Sequence, residues 1–185
     1  VIDIYSRYIV GWSVHTKEDG KLAQMLFSET IQNHSPDQNV SLLVHADNGK
    51  PMRSKDLKSL FEKLNVMSSH SRPHTSNDNA FAESVFATMK GRVIYPEFFN
   101  SIESVELFVS EFVDWYNNEH LHSGLDLLSP SAVHFGYHDA ILKNRNKLLD
   151  EARIKNPERF GGKKKVFGIE SVVRLKHKVL LKKVG

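Results

Sequence analysis

The segment VSLLVHAD, residues 40–47, constrains the fold of this chain more than any other. It is a short and nearly continuous apolar run, which is typical of a β-strand covered on both faces. Helical patterns flank it at 21–34 and 54–65, and a second short strand is predicted at 66–73. Strands that alternate with helices in this way predict an α/β sheet with helices on its faces.

The segments on either side extend this pattern. Residues 1–15, VIDIYSRYIVGWSVH, predict two β-strands joined by a tight turn at Ser6-Arg7. Residues 76–90 begin as a polar turn and continue as an amphipathic helix, and a longer helix is predicted at 101–119. The sequence therefore predicts a hairpin followed by alternating helices and strands, with further helices after the last strand.

The C-terminal part of the chain is strongly basic. We predict a boundary near residue 156, between a core of residues 1–156 and a basic tail of residues 157–185. Such a tail would be attracted to polyanions, and a solvated tail that keeps the protein soluble is the alternative. Against one acid, Glu170, residues 161–185 hold Lys163, Lys164, Lys165, Arg174, Lys176, Lys178, Lys182 and Lys183.

Several classes of protein are excluded or disfavoured by composition. The chain has no cysteine, so disulfides and thiolate metal sites are excluded, as expected of a cytoplasmic protein. No apolar run approaches the roughly 18 to 20 residues that span a bilayer, so a membrane partner is not expected. The sequence starts Val-Ile-Asp without a signal-peptide pattern, and we expect it to be a piece of a longer protein.

Two acids occupy positions where an active site would be expected. Asp47 ends the apolar strand, and ligands collect beyond the carboxyl ends of strands in open α/β sheets. It precedes the turn pair Asn48-Gly49, so a role in the turn alone is the alternative. Glu83 lies at the border of the apolar stripe of helix 76–90, although the helix dipole alone would also favour it there. The stripe consists of Ala82, Val85, Phe86, Met89 and Val93.

The two acids together could hold a divalent metal. Mg²⁺ prefers a few carboxylate oxygens together with water and substrate phosphate, and paired ions stabilise both oxygens of a phosphoryl displacement. Asn79 and Lys90 lie on the same edge of the helix as Glu83. Lys90 would then direct its ammonium group toward a phosphate beside the metal.

Three segments make a family resemblance specific: HADNG, SRPHTSNDNAFAESVFATMK and WYNNEHLHSGLDLLSPSAV. They resemble the integrase core domain of bacterial insertion-sequence (DDE) transposases, which are relatives of retroviral integrases. That family carries an Asp, Asp, Glu triad with 35 residues between the second Asp and the Glu, and 35 residues separate Asp47 from Glu83. The family's lysine seven positions after the Glu is matched by Lys90. The resemblance covers roughly residues 1–160.

The resemblance implies a ribonuclease H-like fold, with a mixed sheet flanked by helices, and a polynucleotidyl transferase that cuts and joins DNA ends. Water, and later a 3′-hydroxyl, attacks a phosphodiester in line, and two Mg²⁺ or Mn²⁺ ions assist. Asp47 and Glu83 would be catalytic metal ligands. The implied partners are DNA and further copies of the chain. The implied DNA contacts are Asn48, Arg72, Asn79 and Lys90, with His74 and Asn77 beside them, although a polar loop without a role in binding is the alternative for residues 72–79.

One departure from the family pattern concerns the first catalytic Asp. The family places it in a W-x-x-D-x-T-like context on a strand that precedes the segment matched by VIDIYSR, so we do not assign that role to Asp3. We therefore expect the chain to lack the first strand and one metal ligand, and to be inactive alone. A ribonuclease H-like nuclease that only hydrolyses, and a non-catalytic DNA-binding relic of a transposase, are the alternative functions.

The aromatic and histidine residues at the end of the predicted long helix are interpreted as structural residues rather than as binding or metal-ligating residues. Trp115 and Tyr116 are predicted core residues rather than base-stacking platforms. His120 and His122 follow at a spacing of two, but without cysteine or a further ligand pair they do not predict a zinc site.

Overall fold

The computed structural model describes residues 1–34, 41–72, 76–161, 165–170 and 173. Of the described residues, Val1–Asp3 and Ile9–Phe112 form a first compact unit. A second unit consists of Ile4–Tyr8 and Val113–Val173. Within the described ranges, no helix combines the length and the apolar character needed to traverse a bilayer.

The first unit is built around two parallel strands and two helices. In chain order these are α1 (Gly20–His34), β1 (Leu43–Ala46), α2 (Lys55–Lys63) and β2 (Met67–His70). The strands pair in parallel, with Leu43 opposite Met67 and Ala46 opposite His70. The predicted alternation of helices and strands is confirmed, and Asp47 follows directly at the carboxyl end of β1.

A single apolar cluster holds these four elements together. It consists of Ala23, Phe27, Leu57, Leu60, Phe61 and Val66, with Leu42 and Val44 packed against it. Phe27 of α1 meets Phe61 of α2 edge to face, with ring centroids 5.3 Å apart. Ser54 caps the N-terminus of helix α2, because its hydroxyl accepts a hydrogen bond from the Leu57 N–H. The cluster therefore anchors the strand that leads to Asp47.

Two further helices follow the sheet, as predicted. A 3₁₀ turn at Ser76–Asn79 leads into α3 (Ala80–Lys90), and α4 spans Ile102–Asn118. The apolar stripe of α3 is covered only in part: three of its residues are half-buried, no residue of α3 is buried, and Phe86 is 58% exposed. Periodicity identifies the face of a helix that can be buried, but it does not supply the element that would cover it.

The N-terminal hairpin has far fewer paired residues than predicted. One isolated antiparallel bridge joins Ile2 to Ile9, and the N–H of Val10 donates to the Val1 carbonyl (3.1 Å). The predicted turn is present, and Arg7 adopts a positive φ of 64°. Two full strands do not form because residues 4–8 belong to the second unit, where their side chains have other partners.

The second unit has its own apolar cluster. Its helices are α5 (Pro130–His134) and α6 (His138–Lys155). Leu125, Leu128, Val133 and Leu142 form the cluster, and Tyr5, Ile141, Phe167 and Ile169 pack against it. Ser6 is fully buried, with its hydroxyl 3.2 Å from Nδ1 of His134, and the ring of Tyr8 stacks on the same histidine. Residues near the start of the chain therefore complete this unit.

Residues 165–170, part of the predicted basic tail, are bound to the second unit. Asn146 of α6 donates to the Phe167 carbonyl (2.9 Å) and accepts from the Phe167 N–H (2.8 Å). The Gly168 N–H donates to the carboxylate of Asp126 (2.7 Å). Lys163, Lys164 and the basic residues from Arg174 onward lie outside the described residues, and the boundary near residue 156 stays a prediction.

The end of α4 places two polar aromatic side chains in partly buried surroundings. Tyr116 is 1% exposed, which confirms it as a core residue, while Trp115 is half-buried. The Tyr116 hydroxyl is hydrogen-bonded to Nε2 of His122 (2.9 Å). Burial raises the pKa of Tyr116 to about 12. Burial, followed by the charges of His120 and Arg7, lowers the pKa of His122 below its ordinary value of 6.5.

The lowered pKa of His122 predicts acid sensitivity of the second unit. Below pH 6.5 the unfolded chain binds a proton at this histidine that the folded chain does not, so the free energy of unfolding falls as pH falls. We expect His122→Gln to flatten this slope between about pH 7 and 5, measured by urea unfolding. His15→Gln, at an exposed histidine, is the control and should keep the slope. A slope that His122→Gln leaves unchanged would contradict the prediction.

Candidate active site

The turn after β1 holds Asp47 through its own backbone and through β2. Asp47 is exposed, and its Oδ1 accepts a hydrogen bond from the Gly49 N–H (2.9 Å). The Nδ1–H of His70, the last residue of β2, donates to the Asp47 carbonyl (3.0 Å). The turn is thus defined by hydrogen bonds at both of its ends, while the carboxylate faces outward.

The residues that follow β2 reinforce this arrangement. The side-chain amide of Asn48 donates to the Ser71 carbonyl, and the Ser71 N–H donates to the Ala46 carbonyl (2.9 Å). His45 lies between two serine hydroxyls, 2.8 Å from that of Ser69 and 3.4 Å from that of Ser71. Asn48 and Asp47 are therefore fixed against the chain that leaves β2.

Arg72 continues the same stretch and forms a two-pronged ion pair with Asp78. Its Nε donates to Oδ2 of Asp78 (2.9 Å), and its Nη2 donates to Oδ1 (3.0 Å). The Arg72 N–H also donates to Oδ2 (3.0 Å). The Asp78 side chain is only 7% exposed, whereas that of Arg72 is 54% exposed. The hydrogen bonds to Asp78 raise the pKa of Arg72, so the guanidinium stays charged.

Helix α3 carries the remaining predicted site residues. Asn79 precedes the helix and is half-buried, without a side-chain hydrogen bond that caps it. Glu83 lies in the first turn, where the helix dipole favours a negative charge, and Lys90 is the last residue. Both Glu83 and Lys90 are exposed, so the polar edge predicted for this helix faces solvent.

The structure brings some of the predicted residues together and leaves others apart. It joins Asp47 and Asn48 to the end of β2, and Arg72 to the turn that starts α3. No hydrogen bond or ion pair joins Asp47 to Glu83 in the part of the chain that the structure describes. Nor do three or more His, Asp or Glu side chains group around a possible metal position among those residues. His74 and the side chain of Asn77 lie outside the described residues.

Two residues of this region were missed in the sequence. His70 and Asp78 each make a hydrogen bond that fixes a segment next to a predicted site residue. A signal existed for Asp78, since it is the acid of the polar segment SNDN that starts the helix. His70 gave none, because its partner is a main-chain carbonyl 23 positions earlier.

Comparisons with known proteins concern this same part of the chain. Two family models, each described as an integrase core domain, match residues 1–76 and 64–130. The transposase for insertion sequence element IS904 of Lactococcus lactis subsp. lactis (strain IL1403) is 32% identical over 70% of this chain and 51% of its own length. The transposase for IS629 of Shigella sonnei is 28% identical over 76% of this chain and 47% of its own length. Transposase InsF for IS3A of Escherichia coli (strain K12) is 31% identical over 70% and 45%.

The chain therefore spans about half the length of the curated relatives it matches. Among solved structures, the catalytic core domain of BIV integrase superposes with a TM-score of 0.51 at 16% identity. The match covers 69% of this chain and 78% of that one. The similarity shows that the fold is that of a retroviral integrase core, which is ribonuclease H-like.

Proposed function

The chain belongs to the integrase core family of insertion-sequence transposases, relatives of retroviral integrases, and we propose from this premise that it is the catalytic core of a DNA transposase. One observation carries the proposal. Asp47 directly follows β1 and Glu83 lies in the first turn of α3, both exposed, at the 35-residue separation of the family's second and third acids. The activity would be that of a polynucleotidyl transferase acting on DNA ends.

The donor atoms of this site suit a hard divalent cation. Asp47 and Glu83 offer carboxylate oxygens, which Mg²⁺ and Mn²⁺ prefer over nitrogen or sulfur. The Gly49 N–H and the His70 ring orient the Asp47 segment, as outer partners orient metal ligands. Such ions, when bound, activate the attacking oxygen and stabilise the charge on the leaving oxygen. Because the family's triad needs a third acid and no group of three His, Asp or Glu side chains is found among the described residues, we expect no strand transfer from this chain alone.

Four further side chains would hold the DNA. Lys90, at the exposed end of α3, would pair with a phosphate on the same side as Glu83. Asn48 and Asn79 would donate hydrogen bonds to the strand near the reacting phosphate. Arg72 uses Nε and Nη2 for Asp78, and its exposed guanidinium has further N–H groups for a phosphate.

We also propose that copies of the chain associate, supported by exposed apolar residues such as Phe86 and Phe98.

A Mn²⁺ titration followed by NMR tests the proposed site. Selective paramagnetic broadening at the amides of Asp47 and Glu83, lost in Glu83→Gln, would support a shared metal site. Broadening spread over surface acids and unchanged by that substitution would contradict it. The chain itself suffices for this measurement, because it requires binding rather than turnover.

Gly49 offers a sharper perturbation of the same site. A β-carbon at residue 49 would lie 2.9 Å from Oδ1 of Asp47, and the carboxylate is the group that can move. We expect Gly49→Ala to lower Mn²⁺ affinity about tenfold, as changes next to metal ligands do, with little loss of stability. Gly124→Ala is the control, since its β-carbon would meet no atom within 4 Å. Unchanged affinity in Gly49→Ala would remove Asp47 from the metal site.

A further inference from the structure

The stretch His70–Arg72 contacts both of the segments that carry the proposed catalytic acids. His70 and Ser71 hold the turn that contains Asp47, through bonds to the Asp47 carbonyl and from the Asn48 side chain. Arg72 holds Asp78, which lies five positions before Glu83. Three consecutive residues therefore connect the end of the sheet to the start of α3.

The Arg72–Asp78 pair differs from the other ion pairs of the first unit. Lys58 and Glu62 meet at 3.8 Å on one helix, with both side chains exposed, and exposed pairs of this kind contribute little. The Asp78 side chain is instead 7% exposed and accepts three hydrogen bonds from one residue. Removing the Arg72 guanidinium would leave the Asp78 carboxylate buried without the opposite charge that stabilises it. Removing the Asp78 carboxylate would take away the acceptor of all three hydrogen bonds. The pair is thus built to hold the two ends of residues 72–78 together.

We propose that Asp78 is a positioning residue, which through Arg72 fixes the start of α3, and with it Glu83, relative to the strand end that carries Asp47. The inference rests on the proposed function in one respect, namely that Asp47 and Glu83 are the two acids that bind the metal. The geometry it concerns, the separation of the Asp47 turn from α3, is defined without metal or DNA. Residues 70–72 would set that separation in advance, so that the two carboxylates meet a metal without reorganisation.

The chain permits a direct distance measurement. It has no cysteine, so nitroxide labels on Lys50→Cys and Ala87→Cys, two exposed positions, would report the separation of the Asp47 turn from α3 by pulsed EPR. We expect Asp78→Asn and Arg72→Gln each to broaden the distance distribution about twofold or more, because each removes one charge of the ion pair that joins Arg72 to the start of α3. Exchanging the charges, with Arg72→Asp and Asp78→Arg together, should restore part of the narrow distribution.

Two controls separate positioning from general stability. Glu62→Gln removes the carboxylate of the exposed Lys58 pair and should leave the distribution unchanged. A second label pair, Met25→Cys on α1 and Lys58→Cys on α2, should give the same distances with and without Asp78→Asn. A narrow distribution retained in both single variants would overturn the proposal, and so would broadening of the α1–α2 distance to the same extent.

The outcome of the EPR experiment does not depend on whether the proposed metal site exists. Broadening in the Asp78 and Arg72 variants, together with no selective Mn²⁺ effect at Asp47 and Glu83, would keep the positioning role and reject the metal site. Selective Mn²⁺ effects with an unbroadened distribution would keep the site and reject the role of Asp78.

Discussion

Replacing Glu83 with glutamine is expected to lower the rate of DNA strand transfer about a thousandfold, or about 4 kcal/mol of transition-state stabilisation. Glutamine keeps the length and shape of the side chain in the first turn of α3 but removes the charge that a divalent metal requires. DNA affinity should change little, because phosphate contacts by basic residues dominate it. The rate would be measured in a hybrid in which this chain replaces the matched region of the IS904 transposase.

Glu106→Gln provides the matched control for this experiment. Glu106 is exposed on α4, a different helix from the one that carries Glu83, so its replacement removes the same charge from a residue outside the proposed set of metal ligands. Cleavage and joining should be scored separately, because cleavage without joining would favour a ribonuclease H-like nuclease over a transposase. Full activity of Glu83→Gln in a hybrid that is active without the substitution would refute the assignment of Glu83.

Replacing Phe61 with alanine should destabilise the first unit by about 3–5 kcal/mol, the usual cost of removing a buried phenylalanine. Phe61 is 4% exposed, and its ring meets that of Phe27 in the cluster against which Val44 of β1 also packs. The free energy of opening would be measured by hydrogen exchange at the β1–β2 amides, such as the Met67 N–H that bonds the Leu42 carbonyl.

Phe98→Ala removes the same ring where it is 71% exposed, and should cost well under about 1 kcal/mol. A comparable loss in both variants would mean that the cluster around Phe61 does not hold the sheet. Because Asp47 follows β1 directly, Phe61→Ala is also expected to weaken Mn²⁺ binding under conditions where the unit is partly open.

The sequence predicted best those features that depend on residues close together in the chain. The run 40–47 and its flanking helices follow from periodicity, and Asp47 follows from the end of that run. The contacts that hold the site in place are not local. His70 bonds a carbonyl 23 positions away, and no feature of the histidine itself indicates that partner. Periodicity likewise marked the apolar face of α3 but could not show that Phe86 stays exposed.

The C-terminal segment shows the same limit. Its composition predicts a basic tail, attracted to polyanions or solvated, and yet the side chain of Asn146 forms two hydrogen bonds with the backbone of Phe167. Main-chain groups are present in every residue, so composition carries no information about where such a segment binds.

The burial of Ser6 against His134 has a consequence for the order in which the chain acquires structure during synthesis. The two residues are 128 positions apart, so this contact of the second unit cannot form until residue 134 has left the ribosome. At typical elongation rates this delay is on the order of ten seconds, during which Tyr5 and Tyr8 lack their final surroundings. The α1, β1, α2 and β2 contacts span far fewer residues and can form meanwhile. The nascent chain would therefore carry a folded first unit and an aromatic segment that has not yet packed, until the helix that holds His134 is synthesised.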